Sequence, residues 1–253
     1  MFKKLKVGGT AMVLLLAISQ SAFASHGKTH WGYTGQEGPS HWGNLSHDYQ
    51  ICKSGKHQSP IDINGVKPVK LENIKFHYKA GAADVVDNGH SIQVNVKPGS
   101  YIIADGKRFD LLQFHFHSPS EHRIHGKAAD MVVHMVHKAA DGQLGVVAVL
   151  IDQGAKSREI AKIWNHLPKH AGQHYNNTAK INPANLLPAH KVYYNYTGSL
   201  TTPPCSEGVD WMLMQDPITV SAKQLNTFHT VFKHNVRPVQ AVNGRVIDLS
   251  LSH

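Results

Sequence analysis

Within ten residues, QFHFHSPSEH (113–122), the chain places His115, His117 and His122 beside Glu121, and a further histidine, His134, follows in DMVVHMVH (130–137). On a strand, side chains two positions apart leave by the same face, so His115 and His117 form a two-armed chelate while Phe114 and Phe116 point away. The same parity puts Val132, His134 and Val136 together on one face of the second segment. If the two strands are neighbours, His134 completes a three-histidine set. Neutral imidazole suits zinc, and three protein ligands with the fourth position left to water distinguish a catalytic zinc from a structural one. With 20 histidines in 253 residues, however, an H-x-H pair by itself reads more readily as a structural or surface pair.

The elements that must carry these side chains alternate like half-buried strands: SIQVNV (91–96), YIIA (101–104), LLQFHFH (111–117), MVVHMVH (131–137) and VVAVLI (146–151). Turns such as NGH, KPGS, ADGK and AADGQ separate them, a spacing that predicts a mainly β, antiparallel sheet. Helical patterning is confined to REIAKIWNHL (158–167), stopped by Pro168, and SAKQLNTFHTVF (221–232), opened by a Ser221 cap. No linker, charge block or repeat divides the chain, so a single domain is expected.

The first residues, MFKKLKVGGTAMVLLLAISQSAFAS, set lysines before a short apolar run and small residues at Ala22 and Ala24. That is the pattern of a secretory signal peptide over 1–24, leaving 25–253 as the exported domain in a bacterial periplasm or outside the cell. The run is too short to span a bilayer, so no membrane insertion is expected. Net charge, +9, falls to +6 without Lys3, Lys4 and Lys6. The excess is diffuse, and even the densest basic stretch, KPVKLENIKFHYK (67–79), lacks the clustered arginines and aromatic platforms of nucleic-acid binders. In an oxidising compartment the only two cysteines, Cys52 and Cys205, read as a disulfide, with two buried thiols as the alternative.

Further motifs narrow the reading. NYTGSLTTPPCSEGVDW (195–211), HWGY (30–33), DNGHSIQV (87–94), QSPIDI (58–63) and RPVQAVNGRVI (237–247), together with QFHFHSPSEH, resemble the α-class carbonic anhydrases in family order over essentially the whole exported chain. The resemblance implies a large twisted, mostly antiparallel central sheet with short peripheral helices. It also implies a zinc ion held by His115, His117 and His134, whose bound hydroxide attacks CO2 to give bicarbonate; His122 is not a ligand. Thr201 would accept a hydrogen bond from the hydroxide and donate its own to Glu121. Val136, Val146, Leu200 and Trp211 match the apolar wall that holds CO2, and Gln113 and Thr202 match polar positions beside the metal. His90 matches the proton shuttle, with Tyr33, Asn88 and Gln93 ordering its water chain. Cys52 and Cys205 match the disulfide of bacterial members. Weak esterase activity also follows, and a homodimer is left open.

One position departs from the family pattern. Two residues before the third zinc histidine a glutamate commonly accepts that ring's other proton, but here the residue is Val132. Such outer bonds fix tautomer and orientation. Asp130 or a main-chain carbonyl could take the part. Two other classes compete with the enzyme: a non-catalytic zinc store that exploits the histidine richness, and a binding module attached to anionic envelope components through its basic surface.

Overall fold

The computed structural model describes residues 29–251. The expected signal peptide, 1–24, lies outside the described residues. A 13-stranded sheet dominates, running from an edge at His174–Ile181 through Gly81–Asp87, Ile92–Val96, Lys107–His117, Met131–Ala139, Leu144–Gln153, Glu207–Met214, Tyr193–Ser199 and Asp248–Ser250 to Lys67–Val69. Most pairings are antiparallel, as the turn spacing predicts. Leu144–Gln153 and Glu207–Met214 are instead parallel neighbours, bringing a late segment against the middle of the sheet.

The strands at the centre are long because their sequences are apolar on both sides. In Met131–Ala139 every residue but Lys138 is buried. One face of the sheet carries Phe114, Phe116, Val133, Met135, Val147 and Val149 into the main core. Two helices close over that face. Arg158–Trp164 starts where Ser157 caps Ile160 N, and Ala222–His229 begins with a reciprocal capping box between Ser221 and Gln224. They contribute Ile160, Ile163, Trp164, Leu225 and Phe228 to the core. Both end three residues earlier than the sequence pattern predicts, at 164 and 229.

The opposite face holds a smaller cluster, Val132, Val136, Val146, Ala148, Leu150, Tyr196, Trp211 and Leu213. It is on this face, left without a helical cover, that the histidines emerge. An N-terminal unit around Trp42 packs beside it, fixed by Trp42 Nε1 donating to the carbonyls of Gly32 and Glu37 and by a disulfide between Cys52 and Cys205. Among the described residues no helix is long and apolar enough to cross a membrane.

Candidate metal and catalytic centre

The two histidine strands are adjacent, and their register sets His115 directly opposite His134 and Gln113 opposite Val136. An irregularity between Leu111 and Gln113 shifts the pairing by one and is what aligns them. One nitrogen of each of His115, His117 and His134 lies within 4.8 Å of the others. Among the described residues no other histidines, cysteines or carboxylates gather into such a group.

The second nitrogen of two of the three rings is already engaged. His115 Nδ1 is 2.9 Å from Gln113 Oε1, and His117 Nδ1 is 2.6 Å from the carbonyl oxygen of Asn235. Each Nδ1–H therefore donates outward, leaving Nε2 with a free lone pair. His117 Nε2 is buried without a hydrogen-bond partner. His134 presents Nδ1 to the same region: that atom is 3.8 Å, and His117 Nε2 3.5 Å, from Glu121 Oε2. Burial, reinforced by neighbouring imidazoles, holds His115 and His134 well below the usual histidine range, so both rings stay neutral. Three imidazoles converging on one point, with no carboxylate among the donors, fit the borderline-soft zinc ion.

Glu121 is almost fully buried, and burial raises its carboxyl; His117, the Arg237 main-chain N–H and the Thr201 hydroxyl pull it back. Arg237 N donates to Glu121 Oε1 at 2.9 Å, while Oε2 has no hydrogen-bond partner among the described residues. Thr201, 5% exposed, follows the end of Tyr193–Ser199. Its turn is held by Leu200 N donating to Ser206 O and Cys205 N to Thr202 O.

Val136, Val146 and Trp211 occupy a row across three strands, Val146 being paired with both, and Leu200 packs against the same cluster. Thr202 is half-buried at the turn beside Thr201. Gln113, expected beside substrate, spends its carbonyl on His115.

At the mouth, Asn88 Oδ1 accepts from His90 N and Ser91 N, and Asn88 Nδ2 donates to Gln93 Oε1, so the turn that presents His90 is tied to the strand next to His115. The His90 ring stacks on Trp31 at 3.6 Å, nearly parallel. Burial, with a smaller contribution from His30, lowers its pKa from the ordinary value. Tyr33 stands edge-on to it at 6.5 Å, its hydroxyl buried and kept protonated by burial.

Three contributors escaped the sequence reading. Trp31 supplies the stacking surface for His90. Asn235 accepts from His117 and donates to the carbonyls of His90 and Phe116. Arg237 fixes Glu121 and also donates to the carbonyls of Cys52 and Ser59. Only HWGY and RPVQAVNGRVI signalled two of these places, and neither motif states a role.

The disulfide thereby reaches the centre from both ends, through Cys52 O to Arg237 and through Cys205 N to the Thr201 turn. Opening a link across 153 positions is expected to cost about 4–5 kcal/mol on the chain-entropy model, read as a lower urea midpoint. Amide exchange at Leu200 and Cys205 should also accelerate. Unchanged exchange would show that the turn stands without the bond.

A family model described as eukaryotic-type carbonic anhydrase matches residues 37–251. The chain is 42% identical to a carbonic anhydrase of Pectobacterium atrosepticum, over 95% of this chain and 98% of that protein. It is 42% identical to one of Neisseria gonorrhoeae, over 93% and 94%. Among solved structures it is similar to the α-carbonic anhydrase of Thermovibrio ammonificans in complex with the inhibitor sulfanilamide. That likeness has a TM-score of 0.86 and 45% identity, covering 88% of this chain and 100% of that one.

Proposed function

The chain belongs to the eukaryotic-type carbonic anhydrase family, and from that premise we propose that it hydrates CO2 reversibly to bicarbonate and a proton, with zinc held by His115, His117 and His134. The observation that carries the reading is the convergence of three histidine ring nitrogens beside Glu121, Thr201 and an apolar wall. Bound there, zinc would supply Lewis acidity that makes a water deprotonate readily and serve as nucleophile.

The chain's own residues do the rest. Glu121 Oε2 can only accept and is otherwise unpartnered, so a Thr201 hydroxyl that turns to donate to it keeps only lone pairs for its other neighbour. An oxygen nucleophile standing next to Thr201 must then spend its hydrogen on that hydroxyl, which turns its own lone pair to the Val136–Val146–Trp211 row. CO2 has no dipole and no hydrogen to donate, so an apolar wall holds it weakly without competing for the nucleophile. Thr202, half-buried beside Thr201, is in this reading a polar group that orients bicarbonate or water.

His90 takes the released proton toward solvent through water ordered by Tyr33, Asn88 and Gln93. A histidine's ordinary range lets it accept and release a proton near neutral pH, and the lowering by burial favours release. His90→Ala is expected to lower the maximal rate in weak buffer by at least about tenfold, less than the loss of a direct proton donor because buffer itself carries protons. Added imidazole should restore it. An undiminished rate in weak buffer would remove His90 from the proton path.

Export to an oxidising compartment, with residues 1–24 as signal and the disulfide formed outside the cytoplasm, belongs to the same reading, as does weak hydrolysis of activated esters. The deciding experiment is stopped-flow CO2 hydration, followed with a pH indicator, on purified 25–253. Fast hydration inhibited by sulfanilamide is expected. No hydration by a protein carrying one equivalent of zinc would overturn it in favour of a metal store.

A further inference from the structure

His134 Nδ1 lies on the side of Glu121 Oε2 that His117 Nε2 also approaches, so if Nδ1 holds the zinc, a neutral ring carries its proton on Nε2. That nitrogen is buried and has no hydrogen-bond partner. An unpaired buried donor is destabilising, because it has lost its water without gaining a partner. Val132, on the same strand face and paired with His117 and Leu150, is wholly buried hydrocarbon and offers nothing. Asp130 is engaged elsewhere: its Oδ2 accepts from Gln153 N and its carbonyl from Ser118 Oγ. Trp211, edge-on to the ring at 5.0 Å, has only a donor, and that goes to Ser199 O.

The remaining neighbour is His122. Its ring is fully buried, with the centroid 6.0 Å from that of His134 and the planes at 78°. Its Nδ1 is likewise buried and unpartnered, while its Nε2 is 2.6 Å from Tyr196 Oη, which lies 2.8 Å from Ser59 Oγ. Two neighbouring rings, set edge to face, thus each hold one unsatisfied nitrogen, and metal binding makes one of them a donor. The pair is satisfied only if the other is an acceptor.

We infer that His122 is the positioning residue that replaces the missing carboxylate, its Nδ1 accepting the His134 Nε2–H directly after a small ring rotation or through one shared water. The inference rests on the zinc reading of the three histidines. It fixes the polarity of a whole chain: His134 donates to His122, whose Nε2–H donates to Tyr196, whose hydroxyl donates to Ser59. It also gives this chain a neutral acceptor where a carboxylate would be anionic, so zinc is released faster than it would be with a glutamate at position 132.

Long-range ¹H–¹⁵N correlation on the zinc-loaded chain with ¹⁵N-labelled histidine reads the tautomers directly. Protonation of His122 on Nε2, with a hydrogen-bonded bare Nδ1, is expected; protonation on Nδ1 would put two donors face to face and overturn the inference. Zinc loss to a chelator supplies the second arm. His122→Phe should accelerate it about tenfold in the natural chain and less than about threefold once Val132→Glu supplies an acceptor. Equal acceleration in both backgrounds would reduce His122 to packing and sink the idea. Failure of the natural chain to take up one zinc would refute the underlying site instead.

Discussion

Replacing His117 by alanine, or stripping zinc with a chelator, is expected to bring CO2 hydration down to the uncatalysed background, and added zinc should restore the stripped protein alone. Of the three proposed ligands His117 is the most constrained. Its ring is 1% exposed, its Nδ1 is bound to the Asn235 carbonyl, and its Nε2 faces Glu121 at 3.5 Å. Truncation therefore removes an imidazole lone pair from the set and leaves the Asn235 carbonyl without its donor. Zinc bound by two imidazoles and extra water would lose both affinity and the closed geometry that aims the reaction at the apolar wall. Metal content by atomic emission, with hydration on the same samples, checks this. A substantial rate from zinc-free protein would remove the metal from the mechanism.

The half of the centre that follows strand parity was legible in the sequence. His115 and His117 had to share a face, and Val132, His134 and Val136 another, because side-chain direction alternates along a strand whatever the fold. Which strands are neighbours is not a local property. That His115 stands opposite His134 depends on the shift near Leu111, and that Trp211 joins Val136 and Val146 depends on a parallel pairing between segments some 60 positions apart. Helix ends were missed for a related reason. Pro168 says only where a helix must have stopped, whereas Arg158–Trp164 stops earlier, with Trp164 Nε1 bound to Gln224 O on the other helix.

Asn235 and Arg237 were the least readable because they act from irregular backbone. There no period marks a buried face, and their value lies in where a main-chain carbonyl or N–H comes to rest. The absence of a carboxylate at Val132 was visible as a departure from the family pattern. Asp130 and a main-chain carbonyl were the substitutes that sequence proximity offered, but proximity does not reveal that Asp130 is committed to Gln153.

Thr201→Ala is expected to lower kcat/KM for CO2 by about 10²-fold while zinc content stays unchanged, which separates aim from assembly. Thr201 takes no part in the outer bonds of His115 and His117, so its hydroxyl can be removed without loosening them. What is lost is direction. Without the hydroxyl between Glu121 and the nucleophile, the carboxylate keeps an empty Oε2 in a buried site, and the reacting oxygen is free to turn its lone pair away from the Val136–Val146–Trp211 row. Thr201→Ser should recover most of the rate, since it restores the hydroxyl and not the methyl. Glu121→Gln should resemble the alanine variant: an amide can donate as well as accept, so it no longer forces the hydroxyl to point one way. If Thr201→Ala hydrates CO2 at the natural rate with full zinc, the orientation argument fails; if zinc is lost as well, Thr201 belongs to the assembly of the site and not to its aim.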